Sequence, residues 1–99
     1  MNTVKLDKRN FDAYYGLGEA SFKQRRFKKA IDHFKDARSI DKKNPFIHQY
    51  LMLSYLAVDD YKNVKKSYKK FSEIASEDEM NKFVSNKKYS AVLKIIEMP

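Results

Sequence analysis

The fold is decided by residues 10–45, which read NFDAYYGLGEASFKQRRFKKAIDHFKDARSIDKKNP. Apolar and small residues recur in this stretch at intervals of three and four, the spacing that places side chains on one face of an α-helix. A short link at residues 24–26 predicts that two such helices fold back as an antiparallel hairpin. The two stripes are Phe11, Tyr14, Leu17, Gly18 and Ser21, then Phe27, Ala30, Ile31, Phe34, Ala37 and Ile40.

The same pattern returns about 34 residues later. The shifted chain aligns Leu17 with Leu51, Phe27 with Tyr61, Phe34 with Tyr68 and Ile40 with Ile74. In these positions, and in Leu17-Gly18, Ala20, Ala30, Ala37 and the following Pro45, the chain closely resembles the tetratricopeptide repeat family. The resemblance implies an all-α fold of helical hairpins that stack in a right-handed superhelix, a scaffold that hosts many functions.

We predict helices at 11–23, 27–41, 45–57 and 61–75. Asn10 and Asn44 stand at N-cap positions, and Pro45 suits the first turn of the third helix. The predicted organisation of the single domain is repeat 1 at 11–44, repeat 2 at 45–76 and a capping hairpin at 77–99. Residues 1–10 are interpreted as the tail of a preceding repeat or an arm, because residues 6–10 match 40–44 in type.

The second copy departs from the first at helix contacts. Gly18, Ala30 and Ala37 correspond to Met52, Val64 and Phe71, so we expect wider helix spacing in the second hairpin, with Phe71 partly covering the C-terminal segment. Tetratricopeptide repeats usually have Gly after the first helix, where the backbone is left-handed. The resemblance places Arg25 and Asp59 in that conformation.

The C-terminal segment is predicted to be a shortened third hairpin that caps the array. Ser76 and Glu79 have the spacing of a capping box. Two apolar edges come after it, at Met80, Phe83 and Val84 and at Tyr89, Val92, Leu93, Ile95 and Ile96.

The composition indicates a basic, non-catalytic chain. It has 21 Lys and Arg against 13 Asp and Glu, a net charge of +8, and no Cys. His33 and His48 lie on different predicted helices, and Asp36 near His33 gives at most a two-ligand metal site, so we expect no enzyme, cofactor or metal. His48 is expected at the core edge with a satisfied ring nitrogen. Without a signal peptide or an apolar run of bilayer length, we expect a cytoplasmic location.

The family resemblance implies a concave groove, lined by the first helix of each hairpin, that takes a peptide or a helix of a partner protein. The clamp for a C-terminal carboxylate is missing, since Asp12, Gly16, Phe46 and Tyr50 stand at its positions. Some of the apolar groove residues could instead pack between hairpins. The groove residues are Asp12, Tyr15, Glu19, Phe22, Lys23, Phe46, Gln49, Leu53 and Leu56.

A lysine stripe on the fourth helix is the second candidate site. Its members, Lys62, Lys65, Lys66, Lys69 and Lys70, recur at helical spacing. A solvated outer face is the ordinary interpretation of such a run. The alternatives to a protein-binding scaffold are therefore electrostatic binding of nucleic acid or an anionic membrane through this stripe, and homo-oligomerisation.

Overall fold

The computed structural model describes residues 10–98, which form six α-helices and one 3-10 helix. No strand occurs within that range, and the prediction of an all-α fold is confirmed. Residues 1–9, predicted to be a repeat tail or arm, lie outside the described residues, and the division into repeats stays a prediction. The helices are α1 (Phe11–Lys23), α2 (Phe27–Ile40), α3 (Pro45–Ala57), α4 (Tyr61–Ile74), α5 (Glu77–Ser85) and α6 (Ser90–Glu97), with the 3-10 helix at Lys87–Tyr89.

Side-chain caps mark the start of four of these helices, including α4, where Asp60 Oδ1 accepts from the N–H of Asn63. The Asn10 Oδ1 accepts a hydrogen bond from the N–H of Ala13 at 3.0 Å. Asn44 Oδ1 accepts from the N–H of Phe46 at 2.9 Å, which confirms both predicted asparagine caps. The predicted capping box at α5 is also present, with both reciprocal hydrogen bonds of residues 76 and 79.

The helices pack as two antiparallel hairpins, α1 on α2 and α3 on α4, and α2 also packs on α3. Arg25 and Asp59 join the helices of the two hairpins with φ of 62° and 60°. The left-handed backbone implied by the family resemblance is confirmed at both positions. Helices α2 and α4 end at residues 40 and 74, one residue earlier than predicted, because the next residue in each case is extended.

The first hairpin owes its close packing to Gly18. A Cβ atom at this position would lie 2.7 Å from Cε1 of Phe34, so only a glycine admits the ring in its present place. Leu17, predicted in the same stripe, is instead 41% exposed. The packed face of α1 turns toward Tyr15 and Phe22, whose rings contact Phe34 and Tyr50 respectively, and this rotation leaves Leu17 at the edge.

The core runs continuously through both hairpins into the C-terminal segment. The bulkier residues of the second copy, Met52, Val64 and Phe71, are fully buried. The wider spacing expected there stays a prediction. Phe71 does cover the C-terminal segment, since its ring centroid lies 4.9 Å from that of Phe83 in α5. The apolar side chains with the least exposure are Ala30, Phe34, Ala37, Ile47, Leu51, Met52, Val64, Phe71, Phe83 and Val92.

The last helix packs on the second hairpin. Helix α6 contacts mainly α4 and also α3. Its N-terminal end lies beside the first half of α3, where the Tyr89 hydroxyl donates to Gln49. Its C-terminal end lies beside the first half of α4, where Lys65 donates to the Met98 carbonyl. Because α3 and α4 are antiparallel, α6 runs parallel to α3.

Candidate functional site

The predicted groove is organised around the ring of Tyr50, which projects from α3 toward α1. Its ring stacks on Phe34 at 4.7 Å between centroids, with an interplanar angle of 11°. Tyr15 and Phe22 meet the Tyr50 ring edge-on at 5.9 and 5.3 Å. Such edge and stacked arrangements are the favourable ones for aromatic pairs. Two predicted groove residues, Tyr15 and Phe22, are thus partly used to join the hairpins.

A hydrogen bond between the hairpins holds the Tyr50 ring in place. The Tyr50 hydroxyl donates to Oε2 of Glu19 at 3.0 Å. Burial, and then the bond to Glu19, raise the pKa of Tyr50 well above its usual value of 10.0. Burial followed by the charge of Glu19 raises the pKa of Tyr15 as well. Both hydroxyls therefore keep their protons at neutral pH and remain donors in the groove.

An open cleft of about 190 Å³ lies next to these rings. Phe46 is 51% exposed there, a large apolar surface available for contact. The cleft is smaller than the roughly 300–1,000 Å³ of sites for small molecules and cofactors. Its size is that of one or two amino-acid side chains. We call it the aromatic cleft, and it is lined by Tyr15, Phe46, Gln49, Tyr50, Leu53, Lys88 and Tyr89.

The structure brings together only part of the predicted groove in this cleft. Tyr15, Phe46, Gln49 and Leu53 line it, whereas the other predicted groove residues do not. Asp12 and Lys23 are exposed at opposite ends of α1. Glu19 is bonded to Tyr50, Phe22 packs on the Phe27 and Tyr50 rings, and Leu56 is half-buried beside the core.

Three lining residues were not among the predicted groove residues. Tyr50 occupies one of the positions of the carboxylate clamp, and its hydroxyl reaches Glu19 of α1. Lys88 and Tyr89 come from the 3-10 helix, and no local pattern connects them with α3. The Tyr89 hydroxyl donates to Oε1 of Gln49 at 2.9 Å, a bond between residues 40 positions apart in sequence. The C-terminal cap therefore supplies one wall of the aromatic cleft.

The structure distributes the predicted lysine stripe over two surfaces. Lys66, Lys69 and Lys70 face α2 and line a cleft with Lys35 and Arg38. Lys62 and Lys65 lie instead beside Tyr61 and Met98, at the end of α6. The Lys65 ammonium donates to the Met98 carbonyl at 3.0 Å.

The structure places the two histidines on different helices, His33 on α2 and His48 on α3. Within residues 10–98 no group of three or more His, Cys, Asp or Glu side chains is placed to hold a metal ion. His48 is only 2% exposed, and its Nε2 lies 3.3 Å from the carbonyl oxygen of Lys42. Its Nδ1 has no hydrogen-bond partner, so one ring nitrogen is satisfied and the other is not. Burial, with smaller effects of Arg38 and Lys70, lowers the pKa of His48 below 6.5.

Comparison with known proteins gives a family match for the first hairpin. Residues 11–44 match the family model of the tetratricopeptide repeat. Neither a curated protein nor a solved structure matches the chain. The matched span begins with α1 and ends at the N-cap of α3, so it covers the first hairpin and its link to the second. Among the described helices, none has the length and hydropathy needed to cross a membrane.

Proposed function

We infer that this chain, which belongs to the tetratricopeptide repeat family, binds a short segment of a partner protein in the aromatic cleft. Repeats of this family generally mediate protein–protein interactions and serve as non-catalytic scaffolds. The observation that carries the proposal is an open cleft at the junction of α1, α3 and the cap, with an exposed phenyl ring at its edge.

The lining residues indicate what kind of segment fits. Phe46, Leu53 and the ring of Tyr15 offer an apolar surface for one anchoring side chain. Lys88 lies in the same lining, and its ammonium is 6.0 Å from the centroid of the Tyr89 ring. The chain carries a net charge of +8, which favours acidic partners during encounter. The proposed segment therefore has a large apolar residue next to an Asp or Glu.

Selection from a random peptide library displayed on phage tests this proposal. We expect enrichment of peptides that pair an apolar residue with an acidic one. Binding should fall at least about tenfold with Phe46→Ser, since truncating a central apolar anchor costs about 2 kcal/mol or more. The matched control is Leu17→Ser, because Leu17 has similar exposure but lies outside the cleft.

A charge-reversing pair tests the role assigned to the cap. Lys88→Glu should shift the selected peptides toward basic residues, whereas Lys87→Glu, the neighbouring exposed lysine outside the lining, should not. Peptides that bind Phe46→Ser and Leu17→Ser equally well would refute the cleft as the binding site. A doubled solution mass that Phe46→Ser returns to that of a monomer would show that a second copy of the chain occupies the cleft instead.

A further inference from the structure

A second concave surface lies on the other side of α3, in the groove between α2 and α4. It consists of two adjoining clefts of about 510 Å³ each. They share Lys35, Arg38, Lys70 and Glu73 and therefore form one continuous groove. We call it the basic groove, and its remaining lining residues are Ser39, Lys42, Lys43, His48, Tyr55, Asn63, Lys66, Ser67, Lys69 and Ile74.

Positive charge enters the basic groove from both walls. Lys35 and Arg38 come from α2. From α4 come Lys66, Lys69 and Lys70. Glu73 is the one carboxylate among the described lining residues, and its Oε1 is 4.0 Å from the Lys70 ammonium. At that distance the pair is at the limit of an ion pair and both side chains are exposed, so it offsets little of the positive potential. Like charges facing across a concave surface focus the field and attract anions.

The core anchors the two helices that carry these charges. Ala37 in α2 and Phe71 in α4 are fully buried, and each lies next to a basic residue of the groove. The two helices are therefore anchored by the core on the side away from the cations. The two walls of the groove are therefore in place before a ligand binds, so binding does not have to order the backbone.

His48 lies in the wall of the basic groove. It lines the cleft at the α2–α3 end, is 2% exposed, and its Nδ1 has no partner. Because Nε2 must carry a hydrogen to donate to the Lys42 carbonyl, Nδ1 of the neutral ring is an acceptor without a donor. This nitrogen is therefore a buried acceptor that an anion, itself an acceptor, would not pair with, so the attraction of anions rests on the surrounding cations.

The lining residues also define the chemical class of the ligand. Tyr55 and His48 are the aromatic side chains among them and are only 8% and 2% exposed, so the described lining offers no platform on which a nucleobase could stack. Each cleft has a volume within the range of sites for small molecules. Lys and Arg are the usual partners of phosphate groups. We propose that the basic groove binds a small ligand with several closely spaced phosphates, such as inorganic tripolyphosphate or an inositol polyphosphate.

Isothermal titration calorimetry at physiological ionic strength tests this proposal, with inorganic tripolyphosphate and inositol hexakisphosphate as separate probes. Binding is expected for at least one probe, and the tighter of the two identifies a linear or a cyclic ligand. The triple variant K35Q/R38Q/K70Q should lower that affinity at least about tenfold. The control K23Q/K87Q/K94Q removes the same charge from residues outside the groove and should lower it less than about threefold.

Three results would overturn the proposal. They are no heat of binding with either probe, an equal loss in both triple variants, and tighter binding of a single-stranded RNA or an anionic lipid vesicle than of both probes. If the first triple variant fails to fold, as judged by its far-ultraviolet circular dichroism, K66Q/K69Q/K70Q replaces it, because all three residues are on one helix and line the groove or its edge. Phe46→Ser should leave phosphate binding unchanged, so this proposal can fail or succeed independently of the aromatic cleft.

Discussion

A methyl group added to α1 at position 18 should destabilise the fold, whereas the same group two residues earlier should stabilise it. At Gly18 the new Cβ would lie 2.7–2.8 Å from three atoms of the Phe34 ring, while at Gly16 nothing lies within 4 Å. Replacing either Gly by Ala in a helix interior gains about 1 kcal/mol of helix propensity. Gly16→Ala should therefore raise the free energy of unfolding by about that amount.

At position 18 this gain is outweighed by overpacking. The Phe34 ring is fully buried, stacks on Tyr50 and meets Tyr15 edge-on, so it cannot retreat to an ordinary contact of 3.4 Å or more without displacing both tyrosines. Overpacking of a filled core costs about 1–3 kcal/mol. With a cost near 2 kcal/mol, Gly18→Ala should lower the free energy of unfolding by about 1 kcal/mol.

Urea denaturation of the two variants measures these changes, provided that both show the same m value, the slope of the free energy of unfolding against urea concentration. The propensity gain is common to both variants, so the difference between them, about 1–3 kcal/mol, isolates the cost of the contact with the ring. A thermal melt should show the same order, with each 1 kcal/mol worth about 4–8 °C in Tm for a domain of this size. If Gly18→Ala proves as stable as Gly16→Ala, the close approach of α1 to Phe34 is refuted.

Two further predictions concern the first turn and the buried histidine. Arg25→Gly should stabilise the fold by about 0.5–1 kcal/mol, because a left-handed residue other than Gly costs about 1–2 kcal/mol and the added chain entropy offsets only part of that gain. The control Gln24→Gly, at φ −82°, should destabilise the fold. An equal gain in stability at both sites in urea melts would contradict this account. Folding lowers the pKa of His48, so between the folded pKa and pH 6.5 the unfolded chain binds more protons than the folded chain. The free energy of unfolding should therefore fall as the pH is lowered through that window. Urea midpoints across that window should show this slope in the parent and a weaker slope in His48→Gln, and identical slopes would contradict the assignment.

The sequence predicted the features that depend on neighbours along the chain. Helix bounds and the caps at Asn10 and Asn44 depend on residues within one or two helical turns, whereas the left-handed turns at Arg25 and Asp59 were implied by the family resemblance. A periodic stripe specifies which face of a helix is apolar, and this was sufficient to pair α1 with α2. It was not sufficient for Leu17, since the rotation of a helix within its stripe depends on the partner that it meets.

The cap and both candidate surfaces depend on contacts between distant residues, which periodicity does not encode. Tyr89 meets Gln49 across 40 positions, and Tyr50 meets Glu19 across 31. The lysines of α4 share one face by spacing, but which of them oppose α2 is decided by how the hairpins pack. Lys35 and Arg38 become part of a basic groove only once α2 and α4 lie side by side.

The position of α3 between the two surfaces affects how any binding experiment must be interpreted. Tyr50 and Leu53 line the aromatic cleft, whereas His48 and Tyr55 line the basic groove, so one helix contributes to both. An acidic peptide at low salt would be attracted to both surfaces, because binding by charge alone depends on ionic strength. Apolar contact with Phe46 and Leu53 does not weaken in this way. Binding that survives high salt and is lost with Phe46→Ser therefore reports on the aromatic cleft, while binding that salt abolishes and K35Q/R38Q/K70Q removes reports on the basic groove.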